Sequence, residues 1–322
     1  MQKPAIDNRM NDMERAILTG PTGAIGMALI EKLLKEGTEV LAIVHRGSHR
    51  INRIPKHPGL QLLEADLDEL ADLKLPEQDW DIFYHFAWSG TFGDARNNLE
   101  AQIDNIRYTL DAVRLAWRSG CTTFIGAGSQ AEYGRYEGVL QADTPANPEN
   151  GYGMAKLCAG QMSRQLCAQL GLRHIWTRIL SVYGPYDGEN TMISSAIKNM
   201  LDGLPTHFTK GEQLWDYLYS KDAADIFYLL GFKGQADKTY VLGSGMARPL
   251  RDYIGILAGE LGIKGNLGIG DIPYGDKQVM HLQADTEPIK QDLGYASYTE
   301  FDKGIRETIE SVRHELEKRR TR

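Results

Sequence analysis

Two residues of one predicted helix, Tyr152 and Lys156, have the types and spacing that acid–base chemistry requires. Because they are four positions apart, both side chains project from the same face of the helix. A lysine ammonium beside a phenol favours the phenolate, so we expect Lys156 to lower the pKa of Tyr152. Ser129, just past a predicted strand, is expected at the same edge of the sheet. The three residues together predict a site that gives a proton to, or takes one from, a carbonyl or alcohol oxygen.

A glycine-rich segment near the beginning of the chain follows one predicted strand and opens one predicted helix. Glycine permits a tight turn and close backbone approach, and a helix N-terminus offers unpaired N–H groups to a pyrophosphate. The spacing is G-x-x-G-x-x-G rather than the G-x-G-x-x-G of most dehydrogenases, but its place between strand and helix predicts a dinucleotide site. The residues of this turn are Gly20, Thr22, Gly23, Ala24, Ile25 and Gly26.

The residues that follow the second predicted strand bear on the choice of dinucleotide. An acidic residue there would accept the ribose hydroxyls of NAD, whereas an arginine would pair with the 2′-phosphate of NADP. The segment from Val44 to Arg50 contains no carboxylate but does contain Arg46 and Ser48. Arg46 could stack on adenine and bind the phosphate, and Ser48 could donate its hydroxyl. The pattern favours NADP(H), with NAD as the alternative if this is only a solvated basic loop.

The elements that must position these residues alternate between short apolar runs and helical patterns up to about residue 180. Strict alternation of this kind predicts an α/β fold, a doubly wound parallel sheet (a Rossmann fold). Beyond that point shorter elements predict a smaller α/β C-terminal lobe that binds substrate outside the strand ends. We therefore expect a flexible tail at 1–13, a dinucleotide-binding domain at 14–180 and mainly a substrate lobe at 181–322, with segments near 211–242 returning to the Rossmann domain. A long helix over 95–119 carries apolar residues on one face, and Trp80, Trp117 and Trp176 are expected in the core.

Composition excludes several classes of protein. The 322 residues include 36 Lys and Arg against 43 Asp and Glu, a net charge of −7 that argues against a general nucleic-acid binder. No apolar run reaches the roughly 18 residues that a membrane span needs. The three cysteines have no metal-like spacing, and the eight histidines do not group as metal ligands. These features predict a cytoplasmic protein with reduced thiols and no metal site.

With these motifs in order, the chain resembles the extended short-chain dehydrogenase/reductase family of the NAD-dependent epimerase/dehydratase type, which acts on nucleotide sugars. The resemblance runs from about residue 15 to the C-terminus. Besides the glycine turn and the pair Tyr152 and Lys156, it rests on landmarks in the family's order: Asp66-Leu67, His85-Phe86-Ala87, Asn105 with Thr109, Ser129 to Gly134, Tyr183-Gly184-Pro185, and Asp216 to Tyr219 with Asp222.

The resemblance implies roles for individual residues. Tyr152 would be the acid/base, Lys156 would also bind the nicotinamide ribose, and Ser129 would hold the reacting oxygen. Further cofactor contacts would come from Asp66, Leu67, Ala87, Asn105, Ile179 and Val182. Substrate contacts would come from Trp88, Ser89, Ser129, Gln130, Asn190 and Trp215. The alternative role of Asn190 is that of a helix N-cap only. Trp215 stands where the family has an arginine that often contacts the substrate diphosphate.

The departures from the family pattern narrow the expected reaction. Nucleotide-sugar 4,6-dehydratases have an acidic residue at one or both of the two positions after that of Ser129, whereas this chain has Gln130 and Ala131 there. We therefore expect NADP(H)-dependent reduction of a keto group on a nucleotide-activated 6-deoxy sugar, at C4. The alternatives are an NAD-dependent nucleotide-sugar 4-epimerase and a non-catalytic nucleotide sensor. A homodimer through the helices over 95–119 and 152–170 is also expected, since related proteins pair these helices in a four-helix bundle.

Overall fold

The computed structural model describes residues 14–76 and 79–320. The predicted tail at 1–13 lies outside the described residues. The strands are β1 (Arg15–Thr19), β2 (Glu39–Val44), β3 (Leu60–Glu64), β4 (Ile82–His85), β5 (Thr123–Ser129), β6 (Arg173–Ile179), β7 (Ser181–Tyr183), β8 (Leu214–Trp215), β9 (Tyr217–Tyr219), β10 (Lys238–Leu242), β11 (Arg248–Pro249) and β12 (His281–Leu282). The α-helices are α1 (Ala24–Lys35), α2 (Leu99–Arg118), α3 (Gly151–Leu170), α4 (Met192–Leu201), α5 (Ser220–Lys233), α6 (Leu250–Glu260), α7 (Glu287–Leu293) and α8 (Phe301–Arg320).

Seven strands form one parallel sheet in the order β10-β6-β5-β4-β1-β2-β3. The order reverses at β1, which has β4 on one side and β2 on the other. Helices cover both faces of the sheet, because the central strands carry apolar side chains on both faces and both must be buried. The predicted Rossmann fold is confirmed. Ligands of such sheets bind outside the carboxyl ends of the strands near the reversal.

The chain beyond β6 contributes to both parts of the molecule. Strand β10 pairs with β6 at the edge of the large sheet, and α5 packs on α1. Helices α4, α6 and α8 enclose a separate apolar cluster with two small sheets, β11-β8-β12 and β7-β9. This second cluster lies on the carboxyl side of the large sheet, where strand β7 directly follows β6. No helix of the described ranges is long and apolar enough to span a membrane.

The apolar face of α2 is only partly buried, in contrast to what its pattern suggests. Leu99 and Ile103 are 59% exposed and Trp117 is 52% exposed, so the prediction of Trp117 as a core residue is wrong. The face that packs on the sheet instead presents small and polar side chains, including Gln102, Asn105, Thr109, Ala112 and Ala116. Because α2 lies close to the sheet and to α3, small residues fill that contact. Val113 and Leu115 are buried beside them, whereas Leu99, Ile103 and Trp117 are left at the surface.

Candidate active site

A cleft of about 270 Å³ opens at the carboxyl ends of β1, β4, β5 and β6. Its walls include the glycine turn on one side and Ser129, Tyr152 and Lys156 on the other. An adjoining cleft of about 450 Å³ continues toward α4 and the small sheets and includes Trp215 and Asp187. Ala24, Ile25, Ile179 and Val182 line one or both of these spaces. The fold therefore brings residues from distant parts of the chain to one edge of the sheet.

The glycine turn can be built only without side chains at two positions. Gly20 has φ of +73°, and a Cβ on Gly26 would lie 2.3 Å from the Gly20 carbonyl oxygen. At Gly23, the N-cap of α1, a Cβ would meet nothing within 4 Å, and no side chain caps the helix. The first N–H groups of α1 thus face open space beside Thr22. This cradle fits the pyrophosphate of a dinucleotide.

Ser129 and Tyr152 come together because the N-terminus of α3 is pressed against the turn after β5. Ser129 is the last residue of β5, and its hydroxyl accepts the N–H of Ala131 at 3.2 Å. A Cβ on Gly153 would lie 2.2 Å from the Ala131 carbonyl oxygen, so only glycine allows this approach. Asn150 caps the helix by accepting the N–H of Gly153 at 2.9 Å. The resulting Ser129–Tyr152 hydrogen bond favours the phenolate.

The pKa of Tyr152 does not follow the expectation from its spacing to Lys156. Burial, the largest influence, raises the pKa of Tyr152 above its ordinary value, and the Ser129 hydrogen bond and the charge of Arg96 act against it. The Lys156 ammonium lies 5.8 Å from the Tyr152 ring centre. The prediction that the pKa of Tyr152 is lowered is thus wrong, since desolvation of the phenolate outweighs neighbouring charge.

Lys156 is deeply buried, with 4% of its surface exposed. Its ammonium donates to the Ala127 carbonyl oxygen at 2.6 Å and lies 3.7 Å from the centre of the Trp88 ring. Burial lowers the pKa of Lys156 to about 7, although the charge of Glu132 acts to raise it. The ammonium faces the cleft near the glycine turn, where a ribose would reach it.

A carboxylate that sequence reasoning missed, Glu132, supports the site from behind. It accepts the backbone N–H of Ser129 at 2.9 Å, the indole N–H of Trp176 at 3.0 Å and the guanidinium of Arg178 at 2.8 Å. The Glu132 side chain is 1% exposed and the Arg178 side chain 10% exposed. Glu132 therefore holds the backbone of Ser129 and is turned away from the cleft. The available signal was an acidic residue three positions after Ser129, close to the end of a predicted strand.

The loop after β4 is fixed by two amides of α2. Asn105 accepts the N–H of Ser89 at 2.9 Å and donates to the Ser89 carbonyl oxygen at 2.9 Å. Gln102 accepts the indole N–H of Trp88 at 2.9 Å and also donates to two carbonyl oxygens of the loop. The Asn105 amide is buried and engaged with protein backbone, and its contact with the cofactor stays a prediction. Ser89 likewise contributes its backbone to this clamp, whereas Trp88 reaches the cleft.

Next to the glycine turn, the buried side chains of Thr19 and His85 order the start of the loop after β4. The Thr19 hydroxyl lies 2.9 Å from His85 Nδ1 and accepts the N–H of Ala87 at 3.3 Å. A Cβ on Gly20 would lie 2.8 Å from the Ala87 nitrogen, so the loop and the turn are in contact. Burial lowers the pKa of His85 to about 3, which keeps it neutral. His85 is thus a hydrogen-bonded structural residue.

The loop after β2 meets carboxylates that come from the chain around β3. Arg46 pairs with Glu69 through two hydrogen bonds of 2.8 Å, and the Arg46 N–H donates to Asp66 at 3.0 Å. The Arg46 pairing lowers the pKa of Glu69 to about 2. Ser48 lies at the turn that follows, and Leu67 packs on the apolar cluster under the sheet. Acidic groups therefore do stand at the end of β2, because the parallel pairing of β2 with β3 places them there.

The substrate-side predictions have mixed outcomes. Trp215 lines the larger cleft, and its indole N–H donates to the Ser181 hydroxyl at 2.8 Å. Gln130 lies in the turn beside Ser129 and is half-buried. Thr191, rather than Asn190, is the N-cap of α4, and Asn190 is exposed just before it. The predicted N-cap role of Asn190 is wrong, because the Thr191 hydroxyl accepts the N–H of Ser194 instead.

No group of three or more His, Cys, Asp or Glu side chains in residues 14–76 and 79–320 could hold a metal ion. The arrangement is instead suited to a dinucleotide. It offers a glycine cradle at one end, a buried ammonium at the middle and a phenol–hydroxyl pair beside it. The adjoining cleft leaves space for a second molecule next to the phenol. Such a site can move a proton at an oxygen while it excludes much of the solvent.

Comparison with known proteins identifies relatives in sequence and in structure. One is the dTDP-6-deoxy-L-talose 4-dehydrogenase (NAD(+)) of Aggregatibacter actinomycetemcomitans, 28% identical over 213 residues, which cover 64% of this chain and 76% of that protein. Another is the dTDP-glucose 4,6-dehydratase of Neisseria meningitidis serogroup B, 22% identical over 92% of this chain and 93% of that protein. The solved structure of UDP-glucuronic acid 4-epimerase from Bacillus cereus, in complex with UDP-glucuronic acid and NAD, superimposes with a TM-score of 0.82 at 21% identity and covers 93% of this chain and 99% of that one.

The structural likeness, at this level of identity, establishes the fold. The family follows from the sequence itself, because the model of the NAD dependent epimerase/dehydratase family matches residues 16–243. That range is well over half of the chain and contains the glycine turn, Ser129, Tyr152 and Lys156. The chain belongs to the NAD dependent epimerase/dehydratase family.

Proposed function

We propose that the protein is an oxidoreductase that reduces a keto group, at C4, of a nucleotide-activated 6-deoxy sugar. The observation that carries the proposal is the juxtaposition of Ser129, Tyr152 and Lys156 between a glycine cradle and a second cleft. A dinucleotide fits the cradle, since Gly26 lets the turn pack tightly against the start of α1 and Gly23 faces open space. When bound, the nicotinamide supplies or accepts the hydride.

Each residue of the site has a distinct part in this proposal. Tyr152 donates its phenolic proton to the reacting oxygen, and the Ser129 hydroxyl shares a hydrogen bond with that oxygen as negative charge develops there. Lys156 binds the nicotinamide ribose with its buried ammonium. Glu132 keeps the backbone of Ser129 in place. Trp215 and the adjoining cleft receive the sugar nucleotide, with Trp215 in place of the arginine usual in the family.

For the cofactor we propose NADP(H), on the strength of Arg46 and Ser48. The Arg46 fork has the geometry that a 2′-phosphate requires, and the phosphate would have to replace Glu69 as its partner. NAD(H) is the alternative, and the same Arg46–Glu69 pair supports it. Dissociation constants of the purified protein for NADPH and NADH distinguish the two.

An NAD-dependent 4-epimerase is the second candidate function. It is favoured by the carboxylates Asp66 and Glu69 beside the adenosine end of the cradle, which disfavour an added phosphate. A dehydratase is not proposed, because Gln130 and Ala131 carry no acid and the Glu132 carboxylate is buried against Arg178. A non-catalytic sensor would have no use for the complete set of Ser129, Tyr152 and Lys156.

The test is an assay of the purified protein with nucleotide-linked 4-keto-6-deoxy sugars and with intact nucleotide hexoses. Stoichiometric consumption of added reduced dinucleotide supports the ketoreductase. Interconversion of two hexoses without net consumption, together with dinucleotide that stays bound through purification, supports the epimerase. Binding of nucleotide sugar with neither reaction would leave the sensor as the explanation.

A further inference from the structure

An arginine of the loop after β4 lies directly on the proposed acid/base residue. The Arg96 guanidinium carbon is 4.7 Å from the centre of the Tyr152 ring. Trp88 meets the same ring edge-on, with the two ring centres 6.1 Å apart. Tyr152 is therefore in contact with a cation on its ring face and with an aromatic group beside it.

Backbone contacts of the surrounding turn fix the position of Arg96. Arg96 belongs to a short helical turn, Gly93–Asn97, which leads directly into α2. The Asn97 amide oxygen accepts the N–H of Gly151, the first residue of α3, at 3.1 Å. A Cβ on Gly151 would lie 3.1 Å from the Arg96 carbonyl oxygen, so the turn and the helix N-terminus are closely packed. Gln102 also donates to the Ala95 carbonyl oxygen at 3.1 Å and holds the turn from its other side.

The donors of Arg96 are not used in an ion pair. Its Nε is buried and has no hydrogen-bond partner, and within the described part of the chain no carboxylate pairs with this guanidinium. A buried donor without a partner has a cost in free energy. The Arg96 guanidinium therefore lies on the ring of Tyr152 without a carboxylate among the described residues to pair with it.

The contact between Arg96 and Tyr152 affects proton transfer by the tyrosine. When Tyr152 gives its proton to the substrate oxygen, the electron pair of the O–H bond remains on the phenol oxygen and spreads into the ring. A guanidinium above the ring interacts more favourably with this phenolate than with the neutral phenol. Arginine keeps its charge at every pH that a protein tolerates. Lys156, in contrast, has a pKa of about 7 because it is buried.

We propose that Arg96 is a positioning residue for the acid/base step and, through its charge on the ring of Tyr152, sets the pH at which this phenol exchanges its proton. The proposal rests on the role of Tyr152 in the proposed function. The other groups that face Tyr152 are Ser129 from β5 and Lys156 from α3, and the charge of Glu132, which lies behind Ser129 in the turn after β5, also acts on the phenol. Of these, the Ser129 hydrogen bond lowers the pKa of Tyr152, as Arg96 does, and the Glu132 charge raises it.

The direct test is a titration of Tyr152 in the free protein. Tyrosines isotopically labelled at Cζ are followed by NMR as the pH is raised, and the Tyr152 resonance is identified by its absence from Tyr152→Phe. An opposite charge at this distance moves a pKa by about one unit or more, so in Arg96→Gln the midpoint should rise by about that amount. Arg96→Lys keeps the charge and should retain much of the effect.

The matched control is Arg107→Gln. Arg107 also lies over a tyrosine ring, at 5.3 Å from the centre of Tyr108, but on the exposed surface of α2. The Arg107→Gln variant should leave the titration midpoint of Tyr152 unchanged. Three results would overturn the proposal: an unchanged midpoint in Arg96→Gln, an equal rise in Arg107→Gln, or a parent in which Tyr152 fails to ionise before the chain unfolds.

Because the titration needs neither substrate nor cofactor, its outcome is separate from that of the proposed function. If the Tyr152 midpoint rises in Arg96→Gln but the parent protein catalyses no oxidoreduction, the Arg96 proposal stands and the proposed reaction is rejected. In an active enzyme, the pH profile of kcat/KM should also move to higher pH in Arg96→Gln. A uniform loss of rate, with the profile in place, would indicate a purely structural role and contradict the proposal.

Discussion

The burial of Lys156 predicts a specific dependence of stability on pH. The Lys156 pKa is lowered to about 7 in the folded chain, against about 10.4 in an unfolded chain. Between these values the unfolded chain holds a proton that the folded chain has released, so the free energy of unfolding rises with pH. Below about pH 7 both states carry the ammonium, and the folded state bears the full cost of burying it.

The magnitude follows from the two pKa values. Each pH unit above the folded pKa contributes about 1.4 kcal/mol, so this residue should add roughly 3 kcal/mol to the free energy of unfolding between pH 6 and pH 9.5. Lys156→Met removes the ammonium and keeps an apolar side chain of similar length against Trp88. We expect the variant to be more stable than the parent at pH 6 and to lose this advantage as the pH rises.

The assay is urea unfolding of both proteins at several pH values between 6 and 9.5. Other titrating groups, including the tyrosines with raised pKa values, are common to both proteins and cancel in the difference. Lys264→Met changes an exposed lysine and serves as the control, with a curve parallel to the parent's. Parallel curves for Lys156→Met and the parent would refute the reasoning, because the ammonium would then be as well solvated in the folded chain as in the unfolded one.

Three further predictions concern catalysis, cofactor choice and assembly. Tyr152→Phe should reduce turnover by about 10²–10⁴-fold with cofactor affinity unchanged, and a variant within about threefold of the parent would remove Tyr152 from the mechanism. Arg46→Ala should weaken NADPH binding about ten- to a hundredfold at fixed salt and weaken NADH binding far less. Glu69→Gln should strengthen NADPH binding. Equal weakening of both cofactors by Arg46→Ala would contradict a phosphate contact. The exposed apolar residues of α2 should form a two-fold dimer, which Ile103→Asp should dissociate; sedimentation of the parent at micromolar concentration as a 36.0 kDa species alone would exclude it.

Much of the fold was predictable because its signals are local. The pattern at residues 151–170 predicted a helix, and α3 has those bounds. The glycine turn was recognisable because only glycine permits the +73° φ at Gly20 and the contact at Gly26. Alternating strands and helices admit few arrangements, so the parallel sheet followed from their order. The cluster of Ser129, Tyr152 and Lys156 also followed, since residues at the carboxyl ends of parallel strands meet at one edge.

What sequence patterns could not decide were the contacts between residues distant in the chain and the balance of burial against charge. The Glu132–Arg178 pair and the Glu69 carboxylate on Arg46 depend on which strands are neighbours. Apolar periodicity in α2 did not distinguish a core face from an exposed one, because both have the same spacing. The pKa of Tyr152 was misjudged for a related reason: four-residue spacing places Tyr152 and Lys156 on one helix face, but only the packed structure determines how much water each side chain loses.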